Sequence, residues 1–69
     1  MEWIRIEDKS PEEGSNVIVT YIVRIGGKRT RAMKLAKYVD GQYRQVVMGA
    51  MYKIYEVVAW MYMPEAYQG

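Results

Sequence analysis

Between Val17 and Ile25 apolar side chains recur at every second position: Val17, Val19, Tyr21, Val23 and Ile25 share one face of an extended chain, with Thr20 and Arg24 on the other beside Ile18 and Ile22. That period of two, carried by β-branched and aromatic residues, predicts a strand. Gly26-Gly27 then allows a reversal. A three-residue loop, Ile25-Gly26-Gly27 with Gly27 left-handed, is expected, because its register places Met33 and Leu35 on the face of Val17 and Val19. A two-residue loop would set Lys34 opposite Val19 and bury a charge.

Arg29–Val39 carries two periodicities. Ala32, Leu35, Ala36 and Val39 fit the i, i+3, i+4, i+7 spacing of a helix. Asp40-Gly41, flanked by Tyr38-Val39 and Gln42-Tyr43, is a hairpin signal that would bring Tyr38 opposite Tyr43, and on that ground the segment is read as a strand. Gln42–Met48 follows as a strand, Met48-Gly49-Ala50-Met51 as a loop, and Lys53–Met63 as a last strand ended by Pro64. Its apolar middle, Val57–Met61, suggests a central position covered on both faces. Near the start, Glu2–Ile6 reads as a short edge strand with a buried Trp3. Glu7–Asn16 is a loop with at most one helical turn at Pro11-Glu12-Glu13, and Gly14 ends it at positive φ. The fold class expected is mainly β: a small antiparallel sheet of about five strands in meander order, with one domain over residues 1–69.

Composition narrows the chemistry. With 69 residues, 51% of them hydrophobic and 26% charged, the chain suits a single globular core and no second domain. It holds no Cys and no His. Disulfides, thiolate or imidazole metal ligands, nucleophilic thiols and the ordinary general base are thereby absent, so neither a metal nor a cofactor is expected and a catalytic role is not. Ser10 and Ser15 lie among turn formers and lack a base. Glu7-Asp8 with Glu12-Glu13 matches no metal loop and reads as a solvated charge run. Gly26-Gly27-Lys28 lacks the spacing of a phosphate loop. Glu2, Arg5, Glu7 and Asp8 stand where a signal peptide would need an apolar run, and Val57–Pro64 is far shorter than the ~20 residues that cross a bilayer. Neither export nor membrane insertion is expected, and the cytoplasm of a host cell is the expected location.

Charge is uneven. Met1–Ser15 has five carboxylates against Arg5 and Lys9, whereas Arg24–Arg44 has seven cations against Asp40 alone. On the expected register Lys34 projects from one face, and Arg29, Arg31 and Lys37 from the other. The basic segment with its interleaved tyrosines offers contacts to an acidic protein surface or, as the alternative, to nucleic acid phosphates and bases. The candidate contact residues are Arg29, Arg31, Lys34, Tyr38, Tyr43 and Arg44. A core this small, with seven Tyr, six Met and two Trp, also makes a homodimer a plausible means of covering apolar surface.

Trp3-Ile4, Ser10-Pro11-Glu12-Glu13-Gly14, Val17-Ile18-Val19, Tyr38-Val39-Asp40-Gly41 with Tyr43, and Val57–Glu65 with its Trp60-Met61 and Pro64-Glu65 follow in an order that resembles a family of short phage and prophage proteins of unknown function. Members open on Trp-Ile, pass through Leu-Pro-Glu-Glu-Gly and close on Thr-His-Trp-Met-Pro-Leu-Pro-Glu. This chain departs at Ser10 (for Leu), Ala59 (for His) and Tyr62 (for the first Pro), so no role of that His carries over. The resemblance implies a mobile-element origin and a compact β fold with Trp3 and Trp60 as core partners. The expected function is that of a non-catalytic phage accessory protein that binds a host or phage protein with an acidic surface, for example as an inhibitor of a host defence nuclease.

Overall fold

The computed structural model describes residues 2–64. Six strands, β1 (Ile4–Arg5), β2 (Asn16–Ile25), β3 (Lys28–Val39), β4 (Gln42–Val47), β5 (Ala50–Lys53) and β6 (Val57–Tyr62), form one antiparallel sheet in the order β1-β6-β2-β3-β4-β5. The strand reading of Arg29–Val39 holds. β2 to β5 are a meander, and β6 returns to lie between β1 and β2.

Three two-residue turns join the meander. In Gly26-Gly27, Asp40-Gly41 and Met48-Gly49 both residues have positive φ, the backbone whose twist matches that of the flanking strands. Only the second position of each is glycine throughout; Asp40 and Met48 adopt the left-handed conformation with φ of 53° and 50°. Around Asp40-Gly41 the expected pairing of Tyr38 with Tyr43 forms, with ring centroids 5.0 Å apart.

The first of these turns corrects the expected register. Ile25 pairs with Lys28 directly, so the loop has two residues and Lys34 lies opposite Val19. Met33 and Leu35 are therefore not on the face of Val17 and Val19 but on the opposite one, both more than half exposed. The twist of the glycine turn prevails because the charge is not left unpaired. The Lys34 ammonium sits 4.8 Å from the Tyr21 ring centroid and donates to Gln45 Oε1 at 3.1 Å, at a half-buried position.

The expected loop Met48–Met51 shrinks to the turn Met48-Gly49, because Ala50 and Met51 already belong to β5. The expected strand Lys53–Met63 is strand only at Lys53 and from Val57 to Tyr62. Ala50–Lys53 pairs with β4, the Ile54 N–H still donates to the Tyr43 carbonyl at 2.7 Å, and Tyr55 and Glu56 break away before β6 begins. The break coincides with Glu56 at φ 56° and with Ile54 turning inward to 6% exposure. This link bends the whole sheet. Lys53 lies in one row with Arg44, Lys37, Asn16 and Met63, four strand spacings from β6, while Val57 lies six residues further up that strand. On a flat sheet Lys53 and Val57 would be roughly 28 Å apart at ~4.8 Å per strand and ~3.3 Å per residue. The four residue steps between them reach at most about 14 Å. The sheet must coil, and the concave side becomes the core.

Val17, Val19 and Trp60 are fully buried there, with Ala36, Ile54 and Val57 beside them and Ile4, Tyr21 and Tyr43 packed against them. The loop between β1 and β2 covers the open side. Trp60 Nε1 donates to the Lys9 carbonyl at 2.8 Å, Pro11 is buried, and the Glu12 N–H donates to the Tyr62 hydroxyl at 3.3 Å. Residues 11–13 form no helical turn. A tight turn at Glu13-Gly14 lets Gly14 and Ser15 continue the ladder to Tyr38, and the Glu13 carboxylate accepts the Asp40 N–H. Gly14 has the expected positive φ of 82°.

Two expectations about the aromatic ends are corrected. Ile4 pairs with Trp60, so alternation sends Trp3 to the other face, where it is 40% exposed; it is neither buried nor a partner of Trp60. β6 is interior to the sheet but covered on one face only, since Val58, Ala59 and Met61 are half-exposed.

Trp60→Ala is expected to destabilise the fold by about 3–5 kcal/mol and Trp3→Ala by less than about 1 kcal/mol, which chemical denaturation of the two variants measures. Burial, and then the neighbouring Tyr38 phenol, push the Tyr43 hydroxyl up to about 12. The neutral phenol is thus favoured in the fold over the ordinary value of about 10. Its contribution is intact below pH about 10 and lost as pH rises toward about 12. A spectrophotometric titration should show a tyrosinate transition near pH 12 that Tyr43→Phe removes.

Candidate functional site: the outer face of the sheet

Strand alternation and the register assign every side chain of β3 to a face. Ala32, Lys34, Ala36 and Tyr38 share the concave side with Val19 and Tyr43; Arg29, Arg31, Met33, Leu35 and Lys37 point outward. Of the candidate contact residues, Arg29, Arg31 and Arg44 therefore lie on the outer face. Lys34, Tyr38 and Tyr43 do not: they are half-buried on the inner one. Arg44 is opposite Lys37, donates through Nε to Gln42 Oε1 at 3.2 Å, and its guanidinium is 3.9 Å from Asp40 Oδ2.

The outer face carries an apolar band that includes Met33, Leu35 and Trp3, which the sequence placed on the core side. Met33 and Leu35 are 67% and 60% exposed, Val46 is 59% exposed, and Met51, Met63 and Trp3 are each about two-fifths exposed. Ile18 and Met61 continue the band, half-exposed in the row of Leu35. Arg29 and Arg31 border it at one end, Lys37 and Arg44 at the other. The available signal was the turn: two adjacent glycines suit a two-residue reversal, and that count alone turns Met33 and Leu35 outward.

Beyond the start of β6, β2 and β3 continue as a two-stranded ribbon that ends at Gly26-Gly27. On it Arg24 is engaged: it forms an ion pair with Glu56 at 2.6 Å that holds the Glu56 carboxyl below the usual carboxylate range. Among the described residues no ion pair engages Arg29, Arg31, Lys34 or Lys37.

A cleft of about 630 Å³ opens where β3 and β4 part, with Lys34, Leu35, Ala36 and Lys37 on one wall and Arg44, Gln45 and Val46 on the other; Asn16 and Met63 close its end. No group of acidic residues capable of holding a metal ion occurs among the described residues. Glu7 and Asp8 face the Arg5 guanidinium, and Ser15 Oγ donates to the Glu12 carbonyl at 2.6 Å, so both are turn chemistry. No helix among the described residues is long and apolar enough to cross a membrane. What the surface offers is a set of cations around a hydrophobic strip.

No curated protein and no solved structure matches the chain. A family of proteins of unknown function, DUF551, matches residues 2–68, nearly its whole length. Glu65 of the closing motif lies outside the described residues. The chain belongs to the DUF551 family.

Proposed function

We propose that the protein is a non-catalytic binding module that holds a host or phage protein with an acidic surface against the outer face of its sheet. One observation carries this reading: Met33, Leu35 and Val46, all more than half exposed, form an apolar strip bordered by Arg29, Arg31 and Arg44. Contiguous exposed apolar surface with a charged rim is the composition of a recognition patch. The rim selects an acidic partner and speeds its encounter. A phage accessory protein that occludes a host enzyme, such as a defence nuclease, would act in this manner without chemistry of its own. Self-association through the strip is the competing occupant, and it would bring the Arg29 and Arg31 end of one copy toward cations of the other.

The nucleic acid reading has less support. The register turns the rings of Tyr21, Tyr38 and Tyr43, the tyrosines interleaved with the basic segment, to the inner face. That leaves Trp3, 40% exposed beside Arg31 and Met33, as the aromatic neighbour of the arginines on the outer face.

Immobilised protein should retain from the cognate host lysate an acidic protein that the variant carrying Arg29→Glu, Arg31→Glu and Met33→Ser does not, with both baits folded by circular dichroism. Equal recovery by the two baits refutes the outer face. A purified chain that is dimeric in light scattering, and becomes monomeric with Met33→Ser, assigns the strip to a second copy instead. Binding to duplex or single-stranded nucleic acid that falls linearly in log salt, with a slope reduced by the arginine substitutions, would favour the nucleic acid reading.

A further inference from the structure

β3 is twelve residues long, but β4 pairs with it only at Lys37, Tyr38 and Val39. The two-residue turns at both ends determine where its backbone groups point. Lys28 pairs with Ile25 across one turn and Val39 with Gln42 across the other, so even-numbered residues of β3 bond toward β2 and odd-numbered ones toward the β4 side. Tyr38 agrees with this, exchanging bonds with Gly14 and Ser15 on the β2 side. The N–H and C=O groups of Arg29, Arg31, Met33 and Leu35 consequently line an edge that no strand of the described residues pairs. Their side chains all project from the outer face.

Charged side chains ordinarily guard such an edge against other strands. Here the guard has one sign and covers half the edge. Arg29 and Arg31 repel a basic strand, while Met33 and Leu35 invite an apolar one. We propose that this edge takes up an extended acidic segment of a partner protein by strand addition, a mode in which the backbone supplies affinity and alternate side chains supply specificity. The inference rests on the acidic-partner reading above and specifies the segment. In an antiparallel arrangement the segment reads, from its N-terminus, apolar-x-apolar-x-acidic-x-acidic, its residues lying opposite Leu35, Met33, Arg31 and Arg29 in turn. The first apolar residue enters the cleft where β3 leaves β4, between Leu35 and Val46.

The test uses the full chain and a fluorescent synthetic peptide, Ser-Val-Thr-Ile-Thr-Glu-Thr-Glu-Ser, followed by anisotropy. Binding is expected, weakened by about tenfold or more when the two glutamates become lysine, and restored to that lysine peptide by Arg29→Glu with Arg31→Glu. N-methylation at the valine, isoleucine and glutamate nitrogens, which face β3, should abolish binding. N-methylation at the intervening threonines should leave it within about threefold. Hydrogen exchange should slow at the amides of Arg29, Arg31, Met33 and Leu35 alone within β3. An acidic peptide that binds with neither amide protection nor sensitivity to N-methylation overturns strand addition while leaving acidic recognition by the outer face intact. Absence of binding by the peptide overturns the inference, and the lysate comparison with the Arg29, Arg31 and Met33 variant separately decides the broader reading.

Discussion

A link of three residues, Ile54–Glu56, governs this molecule. It joins the strand at one end of the sheet to the strand next to the other end, and it is too short to do so unless the sheet coils. Coiling gives a single layer an inside. Trp60, Val17 and Val19 become fully buried without a second sheet or a helix over them. The loop from Ile6 to Ser15 closes what the coil leaves open, and its tie to the Trp60 indole, 2.8 Å from the Lys9 carbonyl, leaves no buried indole donor unpaired. The positive φ of Glu56 is part of the same constraint. Its carbonyl receives the Ile22 N–H at 3.1 Å and its carboxylate receives Arg24, so the residue that breaks the strand also anchors the base of the ribbon.

The same geometry leaves a long strand with two different surroundings. Near Lys37 to Val39, β3 lies between two strands; from Lys28 to Leu35 it has β2 on one side only. The coil draws β4 and β5 away with Ile54, and the cleft at the fork is the space that opens. Lys34 bridges its lower side through Gln45.

Much of this was legible in the residues. β-branched alternation identifies β2, Asp40-Gly41 identifies the central hairpin and settles the helix-or-strand ambiguity of Arg29–Val39, and Pro11-Glu12-Glu13-Gly14 identifies a turn. What could not be read are balances between local and global terms. At Gly26-Gly27 the cost of a lysine opposite Val19 argued for a three-residue loop, but Tyr21 and Gln45, remote in sequence, reduce that cost and the glycine turn wins. At Ile54–Glu56 apolar residues run on from Met51 to Met61 almost unbroken, and a glutamate gives no local sign that it will adopt φ 56°. The resemblance implies Trp3 as a core partner of Trp60, yet its face follows from the pairing of Ile4 with Trp60. For the candidate site, Arg29, Arg31 and Arg44 share the outer face, the first two at one end of the apolar band and Arg44 at the other. Lys34, Tyr38 and Tyr43 went to the inner face through the same one-residue difference in register.

β3 inverts the usual order of polarity. A cation, Lys34, turns toward the concave side while methionine and leucine one residue away on either side turn to solvent. Exchanging those roles with a three-residue turn would bring Met33 and Leu35 to the core, at ~25 cal/mol for every Å² removed from water, but the same slip would turn Arg29, Arg31 and Lys37 inward with them. What the monomer gains from the arrangement it has is the two-residue glycine turn and the contacts of Lys34 with Tyr21 and Gln45. The proposed strand addition would act on the side that this register leaves exposed: an added acidic segment would cover Met33 and Leu35 and bring carboxylates to Arg29 and Arg31. The inner lysine has its place in the same arrangement: Lys34 over the Tyr21 ring and bonded to Gln45 ties β3 to β2 and to β4 on the concave side, opposite the face that the proposed strand addition would cover.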